Sequence, residues 1–305
     1  MRGDVTVSAS STIRKGNKMN IGFIGLGIMG ESMCENIIKK HDGKVFVFDV
    51  MREKTEKLAS LGAVGCESAL EVARNSDIVI TMVPKSEHSR AVCEEILPAM
   101  KAGKIYIDMS TIDPSVSVEL SKRVKAAGAQ FADAPVVKSK PAAIAGTLGI
   151  YVGCDEELFE TVRPVLGFMG SNIIRMGENG MGLVMKICHN TLVAEIQNGV
   201  NETLALASRC GIGADDFKTA ISYGGGQNFY LDGQAEKLRD RDWTTAFSLE
   251  NMNKDLGICA ALSAEKDFPM PGMENARAVY AKGMEHGIGK EDFRATYKIV
   301  NGEVG

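Results

Sequence analysis

The chain has 305 residues, 45% of them hydrophobic and 24% charged, with a formal net charge of −4. That length admits two domains with separate cores, and the slightly acidic balance gives no global pull toward nucleic acid or an anionic membrane. No stretch approaches the ~18 continuous apolar residues of a membrane span, and the seven cysteines are odd in number, scattered and without a C-x-x-C pair. They read as reduced, mostly buried thiols of a cytoplasmic protein; four histidines without ligand spacing add no case for a metal.

Residues 1–18 are polar, rich in Ser, Thr and basic side chains, and lack the apolar core of a secretory signal. They read as an unstructured leader or tag, with Met19 as the natural initiator. NIGFIG (20–25) then runs into Gly25, Leu26, Gly27, Ile28, Met29 and Gly30, followed by a helical pattern closing near His41. That order is strand, glycine turn, helix. Gly25 suits the tight turn, Gly27 the approach of a pyrophosphate to bare backbone, and Gly30 the packing of helix on strand, with free N–H groups at the helix start facing the phosphates. The next strand, KVFVF (44–48), ends at Asp49, nineteen residues past Gly30. A carboxylate there accepts from the adenine ribose hydroxyls and repels an extra phosphate, so NAD(H) is the expected cofactor. Arg52 keeps NADP(H) open.

Strand and helix signals alternate onward, with strands over 77–83, 104–109, 130–134, 147–152 and 172–176 and helices over 86–100 and 113–128. This pattern predicts an α/β fold, a doubly wound parallel sheet of Rossmann type. Val83, Pro84, Ser110, Thr111 and residues 133–140 fall at carboxyl ends of strands, where such sheets bind ligands. After residue 181 the strands stop. A proline-free run over 182–211 predicts one long interdomain helix, and helices over 215–222, 230–239, 248–266, 271–287 and 290–300 complete an all-helical domain. The division is thus 19–181 for the nucleotide and 182–305 for substrate and oligomerisation. Val184, Ile187, Leu192, Val193, Ile196, Leu204 and Leu206 suggest that the long helix is buried between two bodies. Lys186 and Asn190, four apart, share one of its faces and would look into the interdomain cleft.

Four stretches in order, GFIGLGIMGESM (22–33), DAPVVKSKPAAIAGTL (133–148), GMGLVMKICHN (180–190) and KDLGICA (254–260), resemble the β-hydroxyacid dehydrogenase family from about residue 19 to the C-terminus. The resemblance implies that Lys186 relays the proton of the substrate hydroxyl while hydride passes to or from the nicotinamide, and that Asn190 holds substrate beside it. It also implies that Lys254 reaches the cofactor from the helical domain, and that Val83, Pro84 and Thr111 line the nicotinamide side. Where most of the family has D-A-P-V-S-G-G, this chain has Val137, Lys138 and Ser139 in place of Ser-Gly-Gly. A basic residue followed by a small hydroxyl is similar to the sulfolactaldehyde reductase branch, whose substrate bears a sulfonate; Lys138 and Ser139 would cradle such an anion. The glycine-rich segment 223–229 caps substrate in the family, which brings in Gln227 or Phe229, whereas Cys188 and His189 turn off the catalytic face as packing groups.

The expected function is therefore NAD(H)-dependent interconversion of a small anionic β-hydroxy acid, or hydroxy sulfonate, and its aldehyde. Activity on a carboxylate of the 3-hydroxyisobutyrate, 4-hydroxybutyrate or tartronate semialdehyde type is the alternative, and a catalytically silent dinucleotide-binding scaffold is the reading from another class. The resemblance also implies a homodimer or homotetramer, built through the second face of the long helix.

Overall fold

Short apolar runs, buried on both faces, set the architecture of the first half. A computed structural model describes residues 18–304, so all but the last residue of the expected leader lies outside the described residues. Strands β1 (Ile21–Ile24), β2 (Val45–Phe48), β3 (Val64–Gly65), β4 (Ile78–Thr81), β5 (Ile105–Asp108) and β6 (Gln130–Asp133) pair in parallel in the order β3-β2-β1-β4-β5-β6. Their side chains alternate between two cores. Ile21, Phe23, Val45, Val47, Ile78, Ile80, Ile105 and Ile107 face one way, and Ile24, Phe46, Val79, Tyr106 and Phe131 the other. Helices α1 (Gly30–Lys40), α2 (Arg52–Ser60), α3 (Ala69–Asn75), α4 (Ser86–Ile96) and α5 (Pro114–Ala126) connect these strands.

The sheet is not parallel throughout, as the strand and helix alternation had suggested. Pro135 lacks an N–H, and the sixth strand stops just before it at Asp133. The chain resumes as β7 (Val136–Val137), turns through α6 (Ser139–Ala145) and returns as β8 (Leu148–Gly153) antiparallel to both β7 and β6. The short connection holding α6 favours that reversed return. Helix α7 (Glu156–Leu166) then gives a true crossover, and β9 (Gly170–Gly177) lies parallel to β8.

From Gly177 onward the named elements are helical: α8 (Met181–Arg209), α9 (Ala214–Ile221), α10 (Phe229–Arg239), α11 (Leu249–Glu265), α12 (Pro271–Glu285) and α13 (Thr296–Val300). The predicted last helix begins late because Asp292 caps a 3-10 turn, accepting from Arg294 N, ahead of α13. At ~1.5 Å per residue, α8 is about 44 Å long, and it joins three cores: Leu183 packs in the sheet domain, Ile187 and Ala194 against α11 and α12, and Leu204 against α10. It is buried on that side only. Leu192 and Leu206 are 57% and 63% exposed, contrary to the expectation that both are covered. Five cysteines are buried, whereas Cys188 and Cys210 are exposed. Among the described residues no helix is long and apolar enough to cross a membrane.

Candidate active site

The glycine turn after β1 has the conformation its residues imply. Gly25 sits at φ 93°, a region only glycine enters without strain, and a Cβ there would meet the Met82 carbonyl. A Cβ at Gly30 would run into the Gly25 carbonyl, whereas one at Gly27 would meet open space, as a surface that receives a pyrophosphate requires. Ile28 is exposed and Met29 half-buried on the same turn. Asp49, past the tip of β2, is fixed by backbone: Leu26 N donates to Oδ2 at 2.6 Å and Met51 N to Oδ1 at 2.8 Å. Arg52 turns to Glu56, its Nε 2.9 Å from Oε1. These residues fit a dinucleotide.

Beside this turn, β4 and β5 end at neighbouring loops carrying Val83, Pro84, Ser110 and Thr111. Val83 N donates to Ser110 Oγ at 2.9 Å, which ties the two loops together. From the helical half, Lys254 of α11 reaches across and donates to the Thr111 carbonyl at 2.5 Å. That contact spans the two domains.

Lys186 and Asn190 meet as the four-residue spacing predicts, Lys186 Nζ donating to Asn190 Oδ1 at 3.0 Å, with both residues buried. Asn190 Nδ2 in turn donates to Asp255 Oδ2 at 2.6 Å, and Lys254 Nζ lies 3.1 Å from Asp255 Oδ1. Burial pushes the Lys186 amine down to about 8, with Lys254 adding to the drop and the Asp255 carboxylate opposing it. An amine so placed gives or takes a proton near neutrality. Sequence reading missed Asp255, although it adjoins Lys254. The available signal was a carboxylate in the first turns of a helix whose neighbours Met252, Leu256 and Cys259 are buried.

The start of α8 is received by Asp133, which the sequence had placed among the ligand-facing strand ends. Asp133 is fully buried and accepts from Gly180 N at 2.7 Å and Leu183 N at 3.0 Å, two of the free amides at the helix start. A Cβ on Gly182 would strike the Tyr151 carbonyl and Asp133 Oδ2, so glycine is needed for this close docking. Lys186 is therefore carried on a helix anchored in the sheet domain.

The substrate-loop residues are less converged. Val137 is buried, and Lys138 and Ser139 take left-handed φ values of 86° and 58°. The Lys138 ammonium is exposed, 3.5 Å from the Thr147 carbonyl. Phe229 is 92% exposed and takes no part in the Lys186 cluster of its own chain. His189 is half-buried, its Nδ1 3.2 Å from the Tyr151 hydroxyl, which supports its reading as a packing group.

Comparison with known proteins shows the family. Residues 20–177 match the family model for the NAD binding domain of 6-phosphogluconate dehydrogenase. Residues 180–300 match that for the NAD-binding domain of NADP-dependent 3-hydroxyisobutyrate dehydrogenase. The chain is 33% identical to 2-(hydroxymethyl)glutarate dehydrogenase of Eubacterium barkeri, over 92% of this chain and 94% of that one. It is 35% identical to the mitochondrial 3-hydroxyisobutyrate dehydrogenase of Drosophila melanogaster, over 97% and 93%. Among solved structures, the 3-hydroxyisobutyrate dehydrogenase of Mycobacterium tuberculosis with L-serine superposes with a TM-score of 0.86 at 30% identity, covering 93% of this chain and 99% of that one.

Proposed function

This chain belongs to the β-hydroxyacid dehydrogenase family, oxidoreductases that bind NAD(P) and act on the CH–OH group of small hydroxy acids, and from that premise we propose an NAD(H)-dependent dehydrogenase or reductase that interconverts a small anionic hydroxy acid, or hydroxy sulfonate, and its aldehyde. The observation that carries the proposal is the buried Lys186, Asn190 and Asp255 chain beside the Lys254 contact with the Thr111 carbonyl. A dinucleotide with its pyrophosphate on the Gly25 to Gly30 turn and its nicotinamide toward Val83, Pro84 and Thr111 would supply the hydride. Lys186 donates its proton to the carbonyl oxygen as alkoxide character develops there, and takes it back in oxidation. Asn190, held by Asp255, keeps that ammonium aimed, and the closure of α11 on the Thr111 loop keeps water away.

The NAD(H) preference is supported by the fixed Asp49 carboxylate at the ribose position and by the engagement of Arg52 with Glu56. Comparing kcat/KM for NADH and NADPH tests it; equal values would overturn the preference.

For the substrate, the support is conformational. Side chains at Lys138 and Ser139 sit where glycine is relaxed, and strain of this kind gathers at functional loops. We read the pair as an anion cradle, with 3-sulfolactaldehyde as the favoured substrate and carboxylates of the 3-hydroxyisobutyrate, 4-hydroxybutyrate or tartronate semialdehyde type as the second reading. NADH oxidation by wild type and Lys138→Ala with sulfolactaldehyde, succinic semialdehyde, methylmalonate semialdehyde and tartronate semialdehyde separates them. A sulfonate preference lost in the variant is expected, whereas carboxylate turnover untouched by it returns the chain to the second reading. Turnover of none of these substrates, with cofactor bound, would favour the silent scaffold. The seven free cysteines suit a cytoplasmic enzyme.

A further inference from the structure

Under the loops of Val83 and Ser110 lies a buried carboxylate that the proposed chemistry does not use. Asp108, last residue of β5, is 1% exposed, and among the described residues no cation pairs with it. Its Oδ1 accepts from Thr81 Oγ1 at 2.9 Å, across the register pair that ends β4 and β5, and from Ser110 N at 3.0 Å. The Tyr106 hydroxyl stands 3.1 Å from the same Thr81 oxygen. Asp108 Oδ2 accepts no hydrogen bond of normal geometry; burial pushes this carboxyl up, and the nearby Ser110 and Ser89 hydroxyls offset only part of that. A half-satisfied buried carboxyl is destabilising, so a residue serving the core alone would be better replaced by an apolar one. What Asp108 supplies is geometry. Ser110, held by its amide, presents the hydroxyl that receives Val83 N, and the next residue presents the carbonyl that receives Lys254. Lys254 adjoins Asp255, which holds Asn190 and so Lys186.

We propose that Asp108 is a positioning residue for cofactor binding: by fixing Ser110 it sets the Val83 amide and the Thr111 carbonyl, and so couples the nucleotide shelf to the Lys254 clasp and the lysine behind it. The inference rests on the reading of this cleft as the dinucleotide site. It makes Asp108 act in part through Lys254, which distinguishes it from a contributor to general stability.

The test is a fluorescence titration of NADH, or of NADPH if that binds better, into the full chain. Asp108→Ala is expected to weaken binding roughly tenfold, Asp108→Asn, which keeps the Oδ1 acceptor, by about threefold or less, and Lys254→Met by roughly tenfold. The double variant Asp108→Ala with Lys254→Met should lose clearly less binding than the two single losses multiplied together, because the two residues share the Thr111 arm. Additive losses, an Asn variant as weak as the Ala variant, or an Ala variant that binds as wild type would each overturn the proposal. If Asp108→Ala does not fold, Asp108→Val, which suits a strand end and equally withdraws the acceptor from Ser110 N, takes its place in the same cycle with the same expectations. Wild-type protein that binds neither nucleotide would instead overturn the site reading itself, and that outcome is seen before any variant is made.

Discussion

Lys186 shows what burial does to one residue. Its folded value of about 8 lies below the ordinary 10.5, so the folded state favours the neutral amine. Stability from this group is therefore full above 10.5 and lost as pH falls through about 8, a penalty on the order of 3 kcal/mol at neutral pH. Lys186→Met should melt higher than wild type at pH 7, by about 1–3 kcal/mol in urea unfolding, while turnover falls at least ~100-fold. A variant both inactive and less stable would show that the Asn190 contact outweighs desolvation. The same shift sets the pH profile: reductive kcat/KM should fall above about 8 as the donor proton is lost, and oxidative kcat/KM should rise up to about 8. Lys138 is the opposite case, exposed and strained by backbone alone. Lys138→Gly is expected to gain about 0.5–1 kcal/mol in urea unfolding, since relief of the left-handed φ exceeds the chain entropy glycine adds, and to lose anion selectivity. Unchanged stability would mean that Lys138 is held there by contacts of its own. Lys186 and Asn190 were legible because a four-residue spacing on a long helix needs no tertiary knowledge. The roles of Asp108, Asp133 and Asp255 were not, since an aspartate at a strand end or helix start looks the same in sequence whether it meets water or a core.

Among the elements, α8 depends on how its first turn is received. Asp133 takes two of its amides, yet burial lifts the Asp133 carboxyl from 3.8 to about 7 against the pull of those same bonds. A carboxyl raised in this way stabilises most below its unfolded value and loses that contribution as pH climbs through about 7. Asp133→Asn stays neutral but has one acceptor oxygen for two N–H groups. It should be less stable than wild type at pH 5, by about 1–2 kcal/mol, and the gap should close or invert by pH 8. Melting temperatures of both proteins across that range check this; a constant gap would mean that Asp133 ionises as an ordinary carboxylate. The elements themselves were mostly legible, because parallel strands buried on both faces and proline-free helical runs announce themselves by composition. The reversal at β7 and β8 was not. It follows from a proline and a short connection, and neither by itself says which strand the returning segment pairs with.

At the scale of the molecule, the unpartnered side of α8 carries the remaining argument. Cys188, Leu192, Gly199 and Leu206 are exposed and fall within about 40° of one another around the helix at 100° per residue. Next to this stripe, Ile196, Val200, Phe217, Ile221 and Leu231 line a groove of about 460 Å³ that opens toward the glycine-rich segment before Phe229. The helical pattern alone had put Leu192 and Leu206 inside, because periodicity counts apolar residues without saying whether the covering surface belongs to the same chain. We expect a homodimer or homotetramer that covers this stripe. Burying one leucine side chain is worth about 1.5–3 kcal/mol, and a two-fold interface counts each residue twice. Leu206→Asp should then weaken association by about 3–6 kcal/mol, roughly two to four decades in Kd. Light scattering should show an oligomer for wild type and a smaller species for the variant, with unchanged far-UV circular dichroism because Leu206 is largely exposed on its own chain. A wild-type monomer at micromolar concentration would contradict the assembly, and an undiminished oligomer in Leu206→Asp would move the interface off this face of α8.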